Sequence, residues 1–280
     1  MKLALIGDLH YPDIEADIDG LAEAREVFYK RFIDHFLQVE ADLYLSLGDL
    51  TNYGHTSELE DIYRLINHHQ KDFIHVLGNH DLYAQPREKV LTISGQKRYH
   101  SIETDQAILA FLDTAKEMDY EDWGGWLDEA QLDWLEEVVI ESGTKPLLVF
   151  AHHPVYQTTK RSDHEKGSIH PEIDVWSILE KKRGIGMYFN GHTHIDSIVK
   201  KEQWIFVQVS ACLDQHALRV IELTPEEIIV SAVDIEDLVM AEAAPVVYRH
   251  MNHFTHQTDV RGEAIDRECR VSLLPVVDVS

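Results

Sequence analysis

Apolar positions in the first half of the chain follow two periods in turn. Residues 2–6 form a short apolar run that breaks at Gly7-Asp8-Leu9-His10, and residues 43–47 form a second that breaks at Gly48-Asp49. Between them Leu21, Ala24, Phe28, Phe32 and Phe36 recur at three- and four-residue steps, the spacing of one helix face. The unit repeats. Residues 58–69 carry Leu59, Ile62, Leu65 and Ile66 at helical spacing, and residues 73–77 are a strand-like run leading into Gly78-Asn79-His80-Asp81. Strands alternating with helices predict a parallel sheet covered on both faces. Open sheets of that kind collect ligands outside the carboxyl ends of their strands.

The later pattern changes. Residues 98–103 and 106–113 predict an antiparallel pair joined at Thr104-Asp105. Asp128 or Glu129 starts a helix holding Leu132, Leu135, Val138 and Val139, while Trp126 and Trp134 are either packing residues or stacking surfaces for a base. Residues 146–151 are fully apolar and stop at His152-His153-Pro154. The long polar stretch 156–170 is a lid or substrate-contacting loop, or is disordered. A helix near 171–182 and the run Met187-Tyr188-Phe189 then lead to Asn190-Gly191-His192-Thr193-His194. Residues 195–200, 204–209, 218–223 and 228–233 read as successive short strands, giving an antiparallel end. Past Met240 the signals fade, so the expected organisation is a catalytic domain over residues 1–240 and a C-terminal tail, 241–280, with no role assigned.

Composition narrows the partners. With 280 residues, 44% of them hydrophobic, a sizeable core is available. Lys+Arg 25 against Asp+Glu 50 leaves a net charge of −25, so the surface should repel duplex nucleic acid and anionic membrane. A phosphate-bearing substrate is repelled too, unless bound metal reverses the local sign. Cys212 and Cys269 make no disulfide framework, no apolar run approaches membrane-spanning length, and the first strand starts too early to leave room for a signal peptide. A soluble protein of the reducing cytoplasm is expected. Of the 18 histidines, His68, His69 and His75 fall at a helix–strand connection, and His250, His253 and His256 are either a metal cluster or a solvated polar segment.

The chemistry lies in the strand-end motifs. One Gly-Asp pair is ordinary turn chemistry, but Asp8, His10, Asp49, Asn79, His152, His192 and His194 all follow predicted strands. Asp8 and His10 are two apart, so both point to one side if strand geometry persists. Carboxylates, imidazoles and an amide without thiolate suit Mn, Fe or Zn, and also Co or Ni, better than Ca²⁺. If Asp49 bridges two ions, the remaining residues complete two four-ligand sets. Ions roughly 3.5–4 Å apart make a bridging hydroxide nucleophile near neutral pH and clamp phosphoryl oxygens during in-line displacement. That is hydrolysis of a phosphoester.

Asp-x-His, Gly-Asp, Gly-Asn-His-Asp, His-x-Pro and Gly-His-x-His, in this order from Asp8 to His194, resemble the calcineurin-like metallophosphoesterase superfamily. Leu112-Asp113-Thr114 and Gln131-Leu132-Asp133-Trp134-Leu135 look like its cyclic-nucleotide-phosphodiesterase-like branch. The resemblance implies an α/β (α+β-like) fold, a four-layer αββα sandwich of two mixed β-sheets flanked by helices. It implies two divalent or trivalent metal ions per chain: Asp8, His10 and His194 on the first, Asn79, His152 and His192 on the second, and Asp49 on both. His80 is then a catalytic residue facing the substrate, able to steady the oxyanion or protonate the leaving oxygen. His153 takes a supporting or substrate-side role. Asn52, Tyr53, His55, Arg87, Lys160 and Arg161 are candidate substrate contacts by loop position alone.

The function so implied is a phosphodiesterase acting on a small, nucleotide-like molecule. A phosphomonoesterase or nucleotide-diphosphate hydrolase is the alternative on the same core. A DNA nuclease would share the motif order, but the acidic surface opposes a duplex track. A catalytically inactive metal-binding interaction module is the alternative of another class, and the presence of every ligand together with His80 disfavours it. Oligomeric state is not encoded in these motifs.

Overall fold

The computed structural model describes residues 1–14 and 18–274; residues 15–17 and 275–280, the latter within the segment given no role above, lie outside the described residues. Strands β1 (Lys2–Ile6), β2 (Leu43–Ser46) and β3 (Phe73–His75) pair in parallel, and helices α1 (Leu21–Gln38) and α2 (Thr56–Asn67) connect them. Helix α2 starts two residues before the expected position, because Glu58 turns its carboxylate back to the amides of Tyr53 and His55. A short helix the periodicity did not show, α3 (Arg87–Ser94), follows.

A second sheet begins at β4 (His100–Glu103) and β5 (Ile108–Phe111), an antiparallel pair joined at Thr104-Asp105. Next come α4 (Glu129–Glu141), capped by the Asp128 side chain on the amide of Gln131, and β6 (Leu147–Phe150). Helix α5 (Val175–Leu179), β7 (Gly186–Asn190), β8 (Ser197–Lys201) and β9 (Trp204–Gln208) complete this half. The sheet order is β4-β5-β6-β7-β9-β8. The chain then returns to the first sheet, where β10 (Ala217–Leu223) lies antiparallel to β1, β11 (Glu227–Asp234) to β10, and β12 (Glu268–Ser272) to β11.

Residues past Met240, left without elements by the sequence, are built into this frame. Helix α6 (Leu238–Tyr248) buries Met240, Ala243, Ala244 and Val247 in the α1 layer. Pro245 sits inside it and forfeits one helical hydrogen bond, which packing offsets.

Side-chain alternation produces four layers. On β1, Leu3 and Leu5 face the core between the sheets, while Ala4 and Ile6 face the α1, α2 and α6 layer. On β6, Leu148 and Phe150 enter the same central core, and Leu147 and Val149 face α4 and α5. Both sheets are thus apolar on both faces, which explains why their strands read as continuous hydrophobic runs. The result is an αββα sandwich of two mixed sheets. No helix among the described residues is long and apolar enough to cross a membrane.

Candidate metal centre

Where β1, β2, β3, β6 and β7 run out at their carboxyl ends, their loops converge. The chain after β1 stays paired to the chain after β2: His10 N donates to Asp49 O at 2.8 Å and Tyr11 N to Leu50 O at 3.0 Å. Strand geometry nevertheless stops at the ligands. Asp8, His10 and Asp49 adopt φ of 50°, 51° and 49°, and His192 and His194 adopt 74° and 55°, all in the left-handed region that few residues other than glycine enter, though Asp and His enter it more readily than most. Asp8 and His10 therefore come together through a strained turn, and not through the strand alternation expected from their spacing.

Two sets of candidate ligand atoms result. Nε2 of His10 and Nε2 of His194 face each other at 3.1 Å, with Oδ1 of Asp8 3.5 Å from the latter. Beside them, Nε2 of His152 lies 3.0 Å from Oδ1 of Asn79 and 3.2 Å from Nδ1 of His192. Oδ2 of Asp49 stands between the sets, 3.8 Å from His10 Nε2 and 3.3 Å from His152 Nε2. The other oxygen, Oδ1, accepts a hydrogen bond from His80 N at 2.8 Å, and the Asp8 carboxylate accepts from His192 N at 3.0 and 3.1 Å.

The glycines of the motifs make these contacts feasible. A Cβ on Gly78 would overlap Oδ1 of Asp49, and one on Gly191 would overlap Oδ2 of Asp8. Asp81, fully buried, ties two of the loops together: it accepts from Thr51 N and Gly78 N, each at 2.9 Å, and pairs with His75 at 2.9 Å. Nothing in the residue pattern marks that role for Asp81 or His75.

Tautomers are set from outside the cluster. His152 Nδ1 donates to Leu47 O at 2.9 Å and His192 Nε2 to Lys166 O at 2.8 Å, leaving His152 Nε2 and His192 Nδ1 as the nitrogens turned toward the cluster. His153 lies fully buried beside them, but both its nitrogens are engaged, Nδ1 with Thr114 Oγ1 at 2.8 Å and Nε2 with Trp123 O at 2.9 Å. It supports the wall and offers no free donor.

Charges in the cluster oppose one another. Burial would raise the Asp49 carboxyl, yet the surrounding His152, His80 and His10 imidazoles hold it well below the usual carboxylate range. Burial would lower His152 and His194, but Asp49 carries the first up to about 9, and Asp8 with Asp214 carry the second up to about 10. Burial and neighbouring imidazoles hold His10 well below its ordinary value and bring His192 down to about 3. Carboxylates and lone pairs crowded in this way fit a cation placed among them, and the oxygen and nitrogen donors fit a first-row transition metal.

A cavity of about 790 Å³ opens over the cluster, lined in part by Asn79, His80, Tyr83, Tyr120, Arg161 and His253. Of the candidate substrate contacts, Arg161 lines it, held to Thr193 O at 3.1 Å and to Gln257. The others are committed elsewhere. Asn52 donates to Asn252 O, His55 caps α2, Arg87 pairs with Asp113 and Glu117, and Lys160 pairs with Asp266. Tyr53 contacts the aromatic side of the cavity through His253, with ring centroids 5.2 Å apart. The 156–170 stretch forms part of the cavity wall through Arg161, His164, Glu165 and Gly167. His250, His253 and His256 do not gather into a metal group among the described residues. His253 lines the cavity, and His256 bonds to Asp214 at 2.9 Å.

Comparison with known proteins adds independent findings. Residues 1–196 match the family model described as calcineurin-like phosphoesterase. The chain is 26% identical over 203 residues to a probable cyclic nucleotide phosphodiesterase of Rhodopseudomonas palustris, covering 69% of this chain and 72% of the relative. It is 27% identical over 124 residues to a glycerophosphodiester phosphodiesterase of Enterobacter lignolyticus, covering 42% and 44%. Among solved structures, a dimetal phosphatase from Danio rerio superposes with a TM-score of 0.68 at 16% identity, over 83% of this chain and 96% of that one. A purple acid phosphatase from yellow lupin seeds superposes with a TM-score of 0.56 at 12% identity, over 83% and 51%. The structural likenesses bear on the fold.

Proposed function

The chain belongs to the calcineurin-like phosphoesterase family and is a metal-dependent phosphoester hydrolase, and on that premise we propose that it cleaves a small, nucleotide-like phosphodiester with two metal ions. Asp8, His10 and His194 would hold one ion, Asn79, His152 and His192 the other, and Asp49 both. The observation that carries this reading is the position of one Asp49 oxygen, within 3.8 Å of His10 Nε2 and 3.3 Å of His152 Nε2, while its partner oxygen is occupied by a backbone amide. When bound, two such ions acidify water and neutralise phosphoryl charge, which a chain of net charge −25 needs at its pocket.

The chain's own residues supply the rest. His80 donates its Nδ1 proton to Asn52 O at 2.8 Å, so Nε2 is the nitrogen left for the substrate. That nitrogen lies 4.0 Å from Asp49 Oδ2, beside the cluster and within reach of a departing oxygen, while burial holds the ring below the ordinary histidine value against the pull of Asp49 and the Asn52 carbonyl. Tyr83, 4.7 Å from the His80 ring, and Tyr120, stacked on Tyr83 at 4.7 Å, form an aromatic side wall that suits a nucleoside-like leaving group. Arg161 brings positive charge to the cavity from the loop between the later motifs. The catalytic unit is read as extending past the 1–240 boundary, since His253, Thr255 and Gln257 line the same cavity. The free cysteines Cys212 and Cys269 accord with a cytoplasmic setting.

The test is elemental analysis of purified protein combined with turnover of a bis-aryl phosphate, an aryl monophosphate and a nucleotide panel including 3′,5′-cyclic and diphosphate-linked members. Two ions per chain with preference for diesters is expected. Preference for the monoester would favour the phosphatase alternative, and metal-loaded protein inert on every member would favour the inactive module.

A further inference from the structure

Residues 249–261 pass over the His10 and His194 side of the cluster, and they lie outside the segment matched by the family model. Phe254 is buried against both imidazoles, with ring centroids 5.1 Å from His10 and 5.5 Å from His194. Gln257 and His256 reach a carboxylate beneath: Oδ1 of Asp214 accepts from Gln257 N at 2.8 Å and from His256 Nδ1 at 2.9 Å. His256 is itself stacked on Tyr248 at 4.2 Å, at the end of α6.

The other Asp214 oxygen is different. Oδ2 is buried with no hydrogen-bond partner among the described residues, and so is Nδ1 of His194; the two atoms face each other at 3.4 Å. Buried polar atoms without partners are costly, and here each is the nearest remedy for the other. A small rotation of the imidazole would complete the bond. It would also fix the His194 N–H at Nδ1 and aim Nε2, which already faces His10 Nε2, at the first ligand set.

We propose that Asp214 is a positioning residue that orients His194 with one oxygen while its other oxygen anchors residues 253–257, so that ion binding at the Asp8/His10/His194 site and order in this part of the substrate wall are coupled. The coupling is reciprocal: whatever steadies His194 steadies the backbone at Gln257, and loosening the segment frees the carboxylate to move. Because His253, Thr255 and Gln257 line the cavity, the coupling ties readiness of the metal centre to the shape that receives substrate. This inference rests on the two-ion reading above.

Calorimetric titration of the full chain with Mn²⁺, before and after Asp214→Asn, tests it. The wild type should take up two ions, and the variant should bind one of them about 10–100-fold more weakly while keeping its affinity for the other, which serves as an internal control for folding. Hydrogen exchange supplies a readout independent of turnover. Mn²⁺ should slow exchange across residues 253–257 in the wild type and leave it unchanged in Asp214→Asn. His256→Ala should speed exchange in the segment and weaken Mn²⁺ binding at the Asp8/His10/His194 site alone, by less than Asp214→Asn does, because the His194 contact survives. Equal affinities in wild type and Asp214→Asn, or exchange in 253–257 indifferent to Mn²⁺, would overturn the role of Asp214. A wild type that takes up no Mn²⁺ would overturn the two-ion reading together with it.

Discussion

The ring of His80 is locked by a 2.8 Å hydrogen bond from its Nδ1 to the carbonyl oxygen of Asn52, a residue in the loop that follows β2. This bond couples two motifs far apart in sequence. It leaves Nε2 as the only nitrogen of His80 able to meet substrate, and it spends the Asn52 backbone on that task.

Replacement of His80 by Ala should therefore lower turnover by about 10²–10⁴-fold, the range of a lost proton-transfer group. Metal content should remain at two ions per chain, since neither ligand set needs this ring. Parallel loss of metal and turnover in the same preparation would instead make His80 a ligand.

Asp49→Ala should remove both ions, because its Oδ2 is shared by the two sets. Elemental analysis is expected to fall from two ions per chain to fewer than one. Retention of two would reassign the bridge.

The glycines offer a finer cut. Gly191→Ala drives a methyl group into Asp8 and should empty the Asp8/His10/His194 site alone, whereas Gly78→Ala drives one into the bridging Asp49 and should disturb both. Each is expected to cost on the order of 1–3 kcal/mol of stability from overpacking, seen as a lowered urea midpoint. Metal stoichiometry separates the two variants.

Glu58 sets a pH dependence away from the metal centre. Burial pushes its carboxyl from an ordinary 4.5 up to about 7, against the pull of the amides of Asp13, Tyr53 and His55. The folded state thus holds this proton more tightly than the unfolded chain. Its contribution is complete below pH 4.5 and is lost as pH rises to 7, by about 3 kcal/mol. Glu58→Gln is neutral throughout, so the stability difference between variant and wild type, from urea unfolding at several pH values, should grow in the variant's favour across that window. A difference that stays flat would mean the amides hold Glu58 ionised in the fold.

Much of the frame is legible in the residue pattern. Leu3 and Leu5 against Ala4 and Ile6, or Leu148 and Phe150 against Leu147 and Val149, are strands apolar on both faces, and such runs cannot be hidden in an ordinary surface. The convergence of Asp8, Asp49, Asn79, His152 and His192 follows from strands that run parallel within each of two stacked sheets and bring their carboxyl ends to one side of the sandwich. What the pattern could not carry is anything decided by loop conformation. The left-handed φ of Asp8 and His10 has no periodic trace. Arg87 and Lys160 stood in the right loops, yet Asp113 and Asp266 hold them elsewhere, and such partners are visible only once the chain is folded. The segment around Phe254 looked polar and unstructured because its packing partners, His10 and His194, are distant in sequence.

The backbone at Asp8, His10, Asp49, His192 and His194 sits where glycine or asparagine would be more comfortable, at a cost of about 1 kcal/mol or more per residue. A library of this protein screened for heat resistance in chelating buffer would therefore enrich replacements at those positions. The hardiest survivors would be the first to lose the capacity to bind an ion, so any campaign to toughen the enzyme has to keep metal in the screen.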